Sequence, residues 1–287
     1  MKTTILFMAA ASCAASLMAQ AQQPPPVLQF IHETIKEGKL AAHVKSEQAW
    51  VSAFRKNKYS FHYVGLSSMS GPNEVIFVEA FPSFAALAQA DVETDKQPLK
   101  GESEQADARD GEYRASSRRI ITAFRKDLSY LPENSISVGK TRYIELLTYR
   151  LRIGRNEEFE NGAKMLLDAY AKAKLDTPIL TYQMAAGGQE GVYYFIVPMA
   201  SLKALDEEPA RMKALMDAMG PDNFRQFMKG AGEVFTSMES QLYAVSPEMS
   251  YVSKATEDED PAFWRPKATA VPSEKPKEAK PKEKTTP

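Results

Sequence analysis

Thiols are almost absent from this chain. Cys13 is the one cysteine in 287 residues, and it lies in an N-terminal stretch read below as discarded. What remains has no thiol, which excludes disulfides, a cysteine nucleophile and cysteine metal ligands. Charge of one sign is lacking too. With 36 Lys and Arg against 37 Asp and Glu, the formal net charge is −1. A nucleic-acid partner usually leaves a basic footprint, so none is expected. Histidine is scarce, at three residues, and these show no HxH or HExxH spacing, so no metal centre is expected. No Walker, GxSxG or SxxK motif appears. The glycines of Gly187 to Gly191 fall between two strand-like runs, whereas a phosphate loop opens a helix.

A long apolar run occurs only at the start. Lys2 is followed by apolar Ile5 to Leu17 and by Ala19-Gln20-Ala21. This is the pattern of an export signal with a small-x-small cleavage site. The run is shorter than the roughly 20 residues that span a bilayer. Residues 1–21 are therefore expected to be removed, placing the protein in the periplasm or outside the cell with no integral membrane segment. Residues 22–26 read as a proline-rich spacer.

The rest of the chain states one pattern twice, over residues 27–135 and 136–254. In the first copy, Val27 to Ile35 reads as a strand covered on both faces, since Leu28, Phe30 and His32 alternate with Gln29, Ile31 and Glu33. Gly38 marks a turn. Lys39 to Lys56 has an apolar stripe of Leu40, Val44, Val51 and Phe54, which predicts a helix with Lys45, Glu47 and Arg55 on its wet side and His43 at its surface. Tyr59 to Met69 and Glu74 to Phe81 read as a hairpin around Gly71-Pro72-Asn73. Ser83 reads as the cap of a short helix. Residues 97–110 are polar and carry no clear signal. Tyr113, Ser117, Ile120 and Phe124 then suggest a long helix, and Asp127-Leu128-Ser129-Tyr130-Leu131 a closing strand.

The second copy repeats the order. It has a strand at 142–153, a turn at Gly154, a helix from Asn156, a hairpin around Gly187-Gly188, a short helix that Ser201 is expected to cap, and a helix over 221–242 carrying Phe224, Met228, Ala231, Phe235, Met238 and Leu242. Glu248-Met249-Ser250-Tyr251-Val252 closes it, echoing the first copy. Residues 255–287 are rich in Lys, Pro and Glu, with few apolar groups to offset the entropy of ordering. They read as a disordered tail in which Phe263-Trp264 alone is suited to fold back.

A βαββαβ unit leaves one sheet face bare, and that face must be covered. The fold class expected is α+β: two ferredoxin-like repeats packed sheet to sheet as a pseudo-dimeric α/β barrel. The strand, Gly turn, helix, hairpin order, Phe81-Pro82-Ser83-Phe84 and the Leu-Ser-Tyr closing segment resemble the dimeric α/β-barrel superfamily, within it the monooxygenase-like and NIPSNAP-like proteins. The resemblance covers about residues 27–253. It implies kinship with cofactor-independent oxygenases of aromatic compounds, with haem-binding or haem-degrading enzymes, and with members of no known activity. It carries over no catalytic residue.

Candidate catalytic residues are His32 and His62, each readable as a haem ligand, a general base or a hydrogen-bonded core histidine. Glu145 joins them, readable as a base of raised pKa or as the partner of Arg142 or Arg150. Phe30, Tyr63, Tyr149 and Tyr182 are candidates to line a pocket for a small apolar or aromatic ligand. With no polar constellation visible, the sequence reads as a non-catalytic exported protein binding such a ligand or a protein partner, with no cofactor required. The alternative is a cofactor-independent oxygenase-like or haem-associated enzyme acting on an aromatic compound.

Overall fold

Eight strands close into one antiparallel barrel in the order β1-β3-β2-β8-β5-β7-β6-β4. The computed structural model describes residues 23–265. Expectations about residues 1–22 and 266–287, including the export signal, lie outside the described residues. The first half contributes β1 (Val27–Ile35), α1 (Leu40–Asn57), β2 (His62–Ser68), β3 (Glu74–Phe81), α2 (Phe84–Thr94), α3 (Leu99–Asp110) and β4 (Arg114–Phe124). The second contributes β5 (Tyr143–Leu151), α4 (Asn156–Lys172), β6 (Leu180–Ala186), β7 (Val192–Met199), α5 (Lys203–Asp206), α6 (Glu208–Met219), α7 (Pro221–Val234) and β8 (Phe235–Tyr251). Two short helices follow, α8 (Lys254–Glu259) and α9 (Pro261–Trp264).

The bare faces cover each other as expected. Leu28, Phe30, Leu66, Ile76 and Ile120 from the first half pack inside the barrel against Leu146, Tyr182, Tyr194, Ile196, Tyr243 and Val245 from the second. Each such side chain gains roughly 1.5–3 kcal/mol by leaving water, so neither half can keep this face without the other. The halves also join edge to edge, β2 to β8 and β4 to β6.

One predicted helix is a strand and another ends early. Residues 114–124 form β4, and the helix expected over 221–242 holds as α7 to Val234, after which Phe235 to Leu242 belong to the 17-residue β8. Their spacings of four and three suit a helix, but each segment fills the place beside the first strand of its own half and reaches the edge of the other half. Tertiary pairing outweighs local periodicity here. The polar stretch read as featureless is helix α3. Ser83 caps α2 by accepting from Ala86 N–H at 3.1 Å, whereas α5 starts after Leu202 without a side-chain cap from Ser201.

The repeated Leu/Met-Ser-Tyr segment has one job done twice. In the first half it is not a strand but a 3-10 turn (Lys126–Leu128) and a lone bridge from Tyr130 to Ile179. Ser129 donates to Arg125 O at 2.7 Å and accepts from Thr181 N–H at 2.9 Å. Ser250 donates to Ser246 O at 2.6 Å and accepts from Gly65 N–H at 2.9 Å. Tyr130 and Tyr251 each donate across to the other half, to Leu175 O at 2.7 Å and Tyr59 O at 2.9 Å. Those acceptors directly follow Lys174 and Lys58, both at φ 53°. Gly65 must lack a side chain, since a Cβ there would stand 2.6 Å from Met249 O.

The tail expectation needs correction over residues 255–265. This stretch is ordered in α8 and α9 because Trp264 gives it an apolar anchor. Trp264 is buried in the barrel cluster and donates to Gly139 O at 3.0 Å. The Arg142 guanidinium lies 3.7 Å over the Phe263 ring. Among the described residues, no helix is long and apolar enough to cross a membrane.

Candidate functional site

The polar groups that matter lie outside the barrel, between the first half's sheet and its helices. Residues of β1 alternate, so Leu28 and Phe30 point into the barrel while Gln29, Ile31 and Glu33 point out toward the helices. A cavity of about 460 Å³ lies on that outer side. Its aromatic wall is Trp50 and Phe54 of α1, Tyr59, Tyr63 of β2, and Phe77 and Phe81 of β3. Phe54 stacks on Tyr59 at 4.5 Å, and Phe77 meets Tyr63 edge-on at 5.8 Å. A volume in this range suits a small organic molecule.

Carboxylates line the same space. Glu79 on β3 accepts from Gln29 Nε2 at 2.5 Å. Burial raises its pKa, against the opposing hydrogen bond of Gln29 and the charge of Arg119. Burial likewise keeps the Tyr63 and Tyr59 phenols protonated well above their usual range.

At one end of the cavity sits a buried cluster of Glu33, His43, Glu47 and Asp110, with one donor atom of each within 4.8 Å of the others. His43 and Glu47 stand one turn apart on α1, and both are buried rather than on the wet side as the stripe suggested. Asp110 ends α3, and Arg114 opens β4. His43 Nδ1 lies 2.5 Å from Asp110 Oδ1, to which Ser46 Oγ also donates at 2.7 Å. Arg114 Nη1 donates to Glu33 Oε1 at 2.6 Å. Burial raises the Glu47 pKa, helped by the charges of Asp110 and Glu33. Asp110 moves the other way: burial would raise it, but the bonds from His43 and Ser46 prevail.

The sequence candidates are scattered by comparison. Tyr63 alone among them lines the cavity. Phe30 is inside the barrel, stacked on Tyr194 at 5.4 Å, and Tyr182 is buried there with its hydroxyl donating to Pro25 O at 2.9 Å. His32 lies on the barrel side of β1 with Nδ1 3.3 Å from Glu74 Oε2, while Tyr243 donates to Glu74 Oε1. His62 stacks on Tyr251 at 5.0 Å, and burial lowers its pKa. Tyr149 packs under α4 against Phe195 at 4.9 Å. Glu145 accepts from Ser240 Oγ at 2.6 Å, while Arg142 and Arg150 pair with Asp260 and Glu239.

No protein-family model and no curated protein matches the chain. Solved structures do. A provisionally assigned monooxygenase from Fusobacterium nucleatum subsp. nucleatum is 10% identical, covers 78% of this chain and 93% of its own, and superposes with a TM-score of 0.52. An anthrone oxidase-like protein is 12% identical, covers 81% and 96%, and also scores 0.52. A haem-binding protein from Thermus thermophilus is 12% identical, covers 78% and 95%, and scores 0.43. The chain has the dimeric α/β-barrel fold of the first two of these. The expectation of a non-catalytic binding protein is corrected. The two neighbours that superpose best of those named carry oxygenase and oxidase names, and the ground for that expectation, the lack of a polar constellation, fails at His43, Glu33, Glu47 and Asp110.

Proposed function

We propose that the protein is an oxygenase-like enzyme that oxidises an aromatic compound held in the first half's cavity. The observation that carries this reading is the 460 Å³ space with an aromatic wall and buried carboxylates. The two barrels named as oxygenase and oxidase share only the fold with this chain; their names say which chemistry to test first.

In this reading the ring of the substrate packs against Trp50, Phe54 and Phe77. Glu79, its pKa raised by burial, accepts a proton from an acidic ring-activated C–H. The carbanion attacks dioxygen, the co-reactant, to form a peroxide. Loss of water from the peroxide leaves a carbonyl. In sum, one CH₂ and one O₂ give one C=O and one H₂O, and Glu79 returns its proton. Export ahead of this activity is part of the proposal and rests on the sequence of residues 1–21 alone.

A haem-based variant is not supported by the residues present. The cavity wall has no histidine, and its Glu33, Glu47, Glu79, Asp91, Asp95 and Asp107 outnumber Arg114 and Arg119. Such a wall disfavours the propionates of haem. No step is derived through that group.

The test is oxygen uptake with anthrone and 1-naphthol as probes. Wild-type protein is expected to consume oxygen, and Glu79→Gln to lose ~100-fold or more of the rate while keeping its melting temperature within a few degrees. Absence of uptake with both probes, together with no thermal shift from either, refutes the reading.

A further inference from the structure

The buried cluster at the end of the cavity is set up for a cation. Asp110 Oδ1 faces His43 Nδ1 at 2.5 Å, which fixes the ring proton on Nδ1. The lone pair of Nε2 is then directed away from Asp110, toward Glu33 Oε2 at 3.7 Å. His43 Nε2, Glu33 Oε2 and Asp110 Oδ2 are all buried without a hydrogen-bond partner. The side chains of His43 and Asp110 are fully buried, and that of Glu33 is 4% exposed. Glu47 brings a third carboxylate to the same point. One guanidinium, Arg114, answers the three carboxylates: it donates to Glu33 and Asp107, and its Nε stands 3.5 Å from Asp110 Oδ2. Buried acceptors that converge without donors are costly. A positive ion among them removes that cost.

We propose that Glu33, His43 and Glu47 bind a divalent first-row transition metal of the Mn(II), Fe(II) or Zn(II) class, with Asp110 as the group that orients His43. The donor set decides the class. An imidazole nitrogen argues against Ca²⁺ and Mg²⁺, which take oxygen ligands, and carboxylates without thiolate argue against Cu(I). Two ligand atoms each about 2.1 Å from a metal stand roughly 3.0–3.4 Å apart. The 3.7 Å between Nε2 and Oε2 therefore needs a closure of a few tenths of an ångström. The Asp110–His43 bond is the carboxylate–imidazole support that metal-binding histidines commonly have. Glu33 and Glu47 also line the cavity, so the ion borders the space proposed for the substrate. The second half has nothing comparable at the matching places, where Phe159 and Ala163 stand for His43 and Glu47.

The inference rests on the cluster and not on the oxidation reading, and its test needs no substrate. Full-length protein without a polyhistidine tag is stripped with a chelator and titrated with Co(II), followed by visible absorption, and with Zn(II) and Mn(II), followed by calorimetry. One equivalent is expected to bind, with ligand-field bands for Co(II) and a rise in melting temperature. Glu47→Gln is expected to weaken binding at least tenfold and Asp110→Asn ~10- to 100-fold, with His32→Ala unchanged. Because buried variants can lose the fold, circular dichroism checks each one, and the wild-type stoichiometry stands by itself. Less than a tenth of an equivalent bound to wild type overturns the proposal and leaves a proton-sharing network. So does equal binding by folded Glu47→Gln, or loss of binding in His32→Ala.

Discussion

The two halves share a frame and differ in what they put under it. Gly38 and Lys58 bracket α1 as Gly154 and Lys174 bracket α4, all four with positive φ. Arg114 pairs with Ile35 beside a register shift, and Phe235 pairs with Leu151 beside another. Within that match, Glu33, His43, Glu47 and Arg114 of the first half correspond to Tyr149, Phe159, Ala163 and Phe235 of the second. The pairings of Gln29 with Glu79 and of Glu145 with Val197 extend the match along the sheet. One half keeps a polar cluster and a cavity beneath its helices. The other fills the same layer with rings, Phe159 lying 4.4 Å from Tyr193 and 5.9 Å from Phe235. The duplicated fold can therefore spend one half on packing and leave the other to hold buried charge. An aromatic core needs no polar partner, whereas a buried carboxylate does.

The largest effect expected on stability is in the packed half. Phe159→Ala is expected to cost about 3–5 kcal/mol, read from denaturant midpoints. His43→Ala should cost about 3 kcal/mol, because it leaves Asp110 with one partner fewer in a buried site. A loss under about 1 kcal/mol in His43→Ala would mean that water reaches the cluster and would blur the contrast.

The shared frame gives a third expectation. Ser129→Ala and Ser250→Ala each leave a strand N–H without its acceptor, so both should lose about 1–2 kcal/mol. Markedly unequal losses would show that the two clasps are not equivalent. The smallest effect concerns pH. Burial would raise the Glu74 pKa, but hydrogen bonds from His32 and Tyr243 and the charge of Arg118 leave it below the usual value. A carboxylate with a lowered folded-state pKa contributes stability above its unfolded pKa, near 4.3, and loses it as pH falls through the lower folded value. Tyr243→Phe removes one of these donors and should weaken the acid dependence below pH ~4. Val192 holds the matching place in the second half, so Val192→Ala should leave that dependence unchanged.

Much of the architecture is legible in the chain. The repeat, the hairpins and the covered faces follow from alternation, turn residues and the Leu/Met-Ser-Tyr echo. The last strand of each half does not, because its pairing with the other half is set by residues far away in sequence. At the site, the useful signal was that the α1 stripe runs on through His43 and Glu47, four residues apart beside Val51 and Phe54. Read alone, a histidine and a glutamate on a helix suit water. Only Asp110 and Arg114, brought in by α3 and β4, make their burial tolerable. His32 and Glu145 were visible as polar residues in strands, but neither faces the cavity.

The most direct test of a functional first half beside a packed second half is methyl NMR of the labelled protein titrated with 1-naphthol. Shifts at Ile31, Leu87 and Ala90, which line the cavity, with none at Ala163 or Val197, are the predicted result. Shifts centred on the barrel interior at Leu66 and Ile196, or on the second half's helix layer, would contradict it.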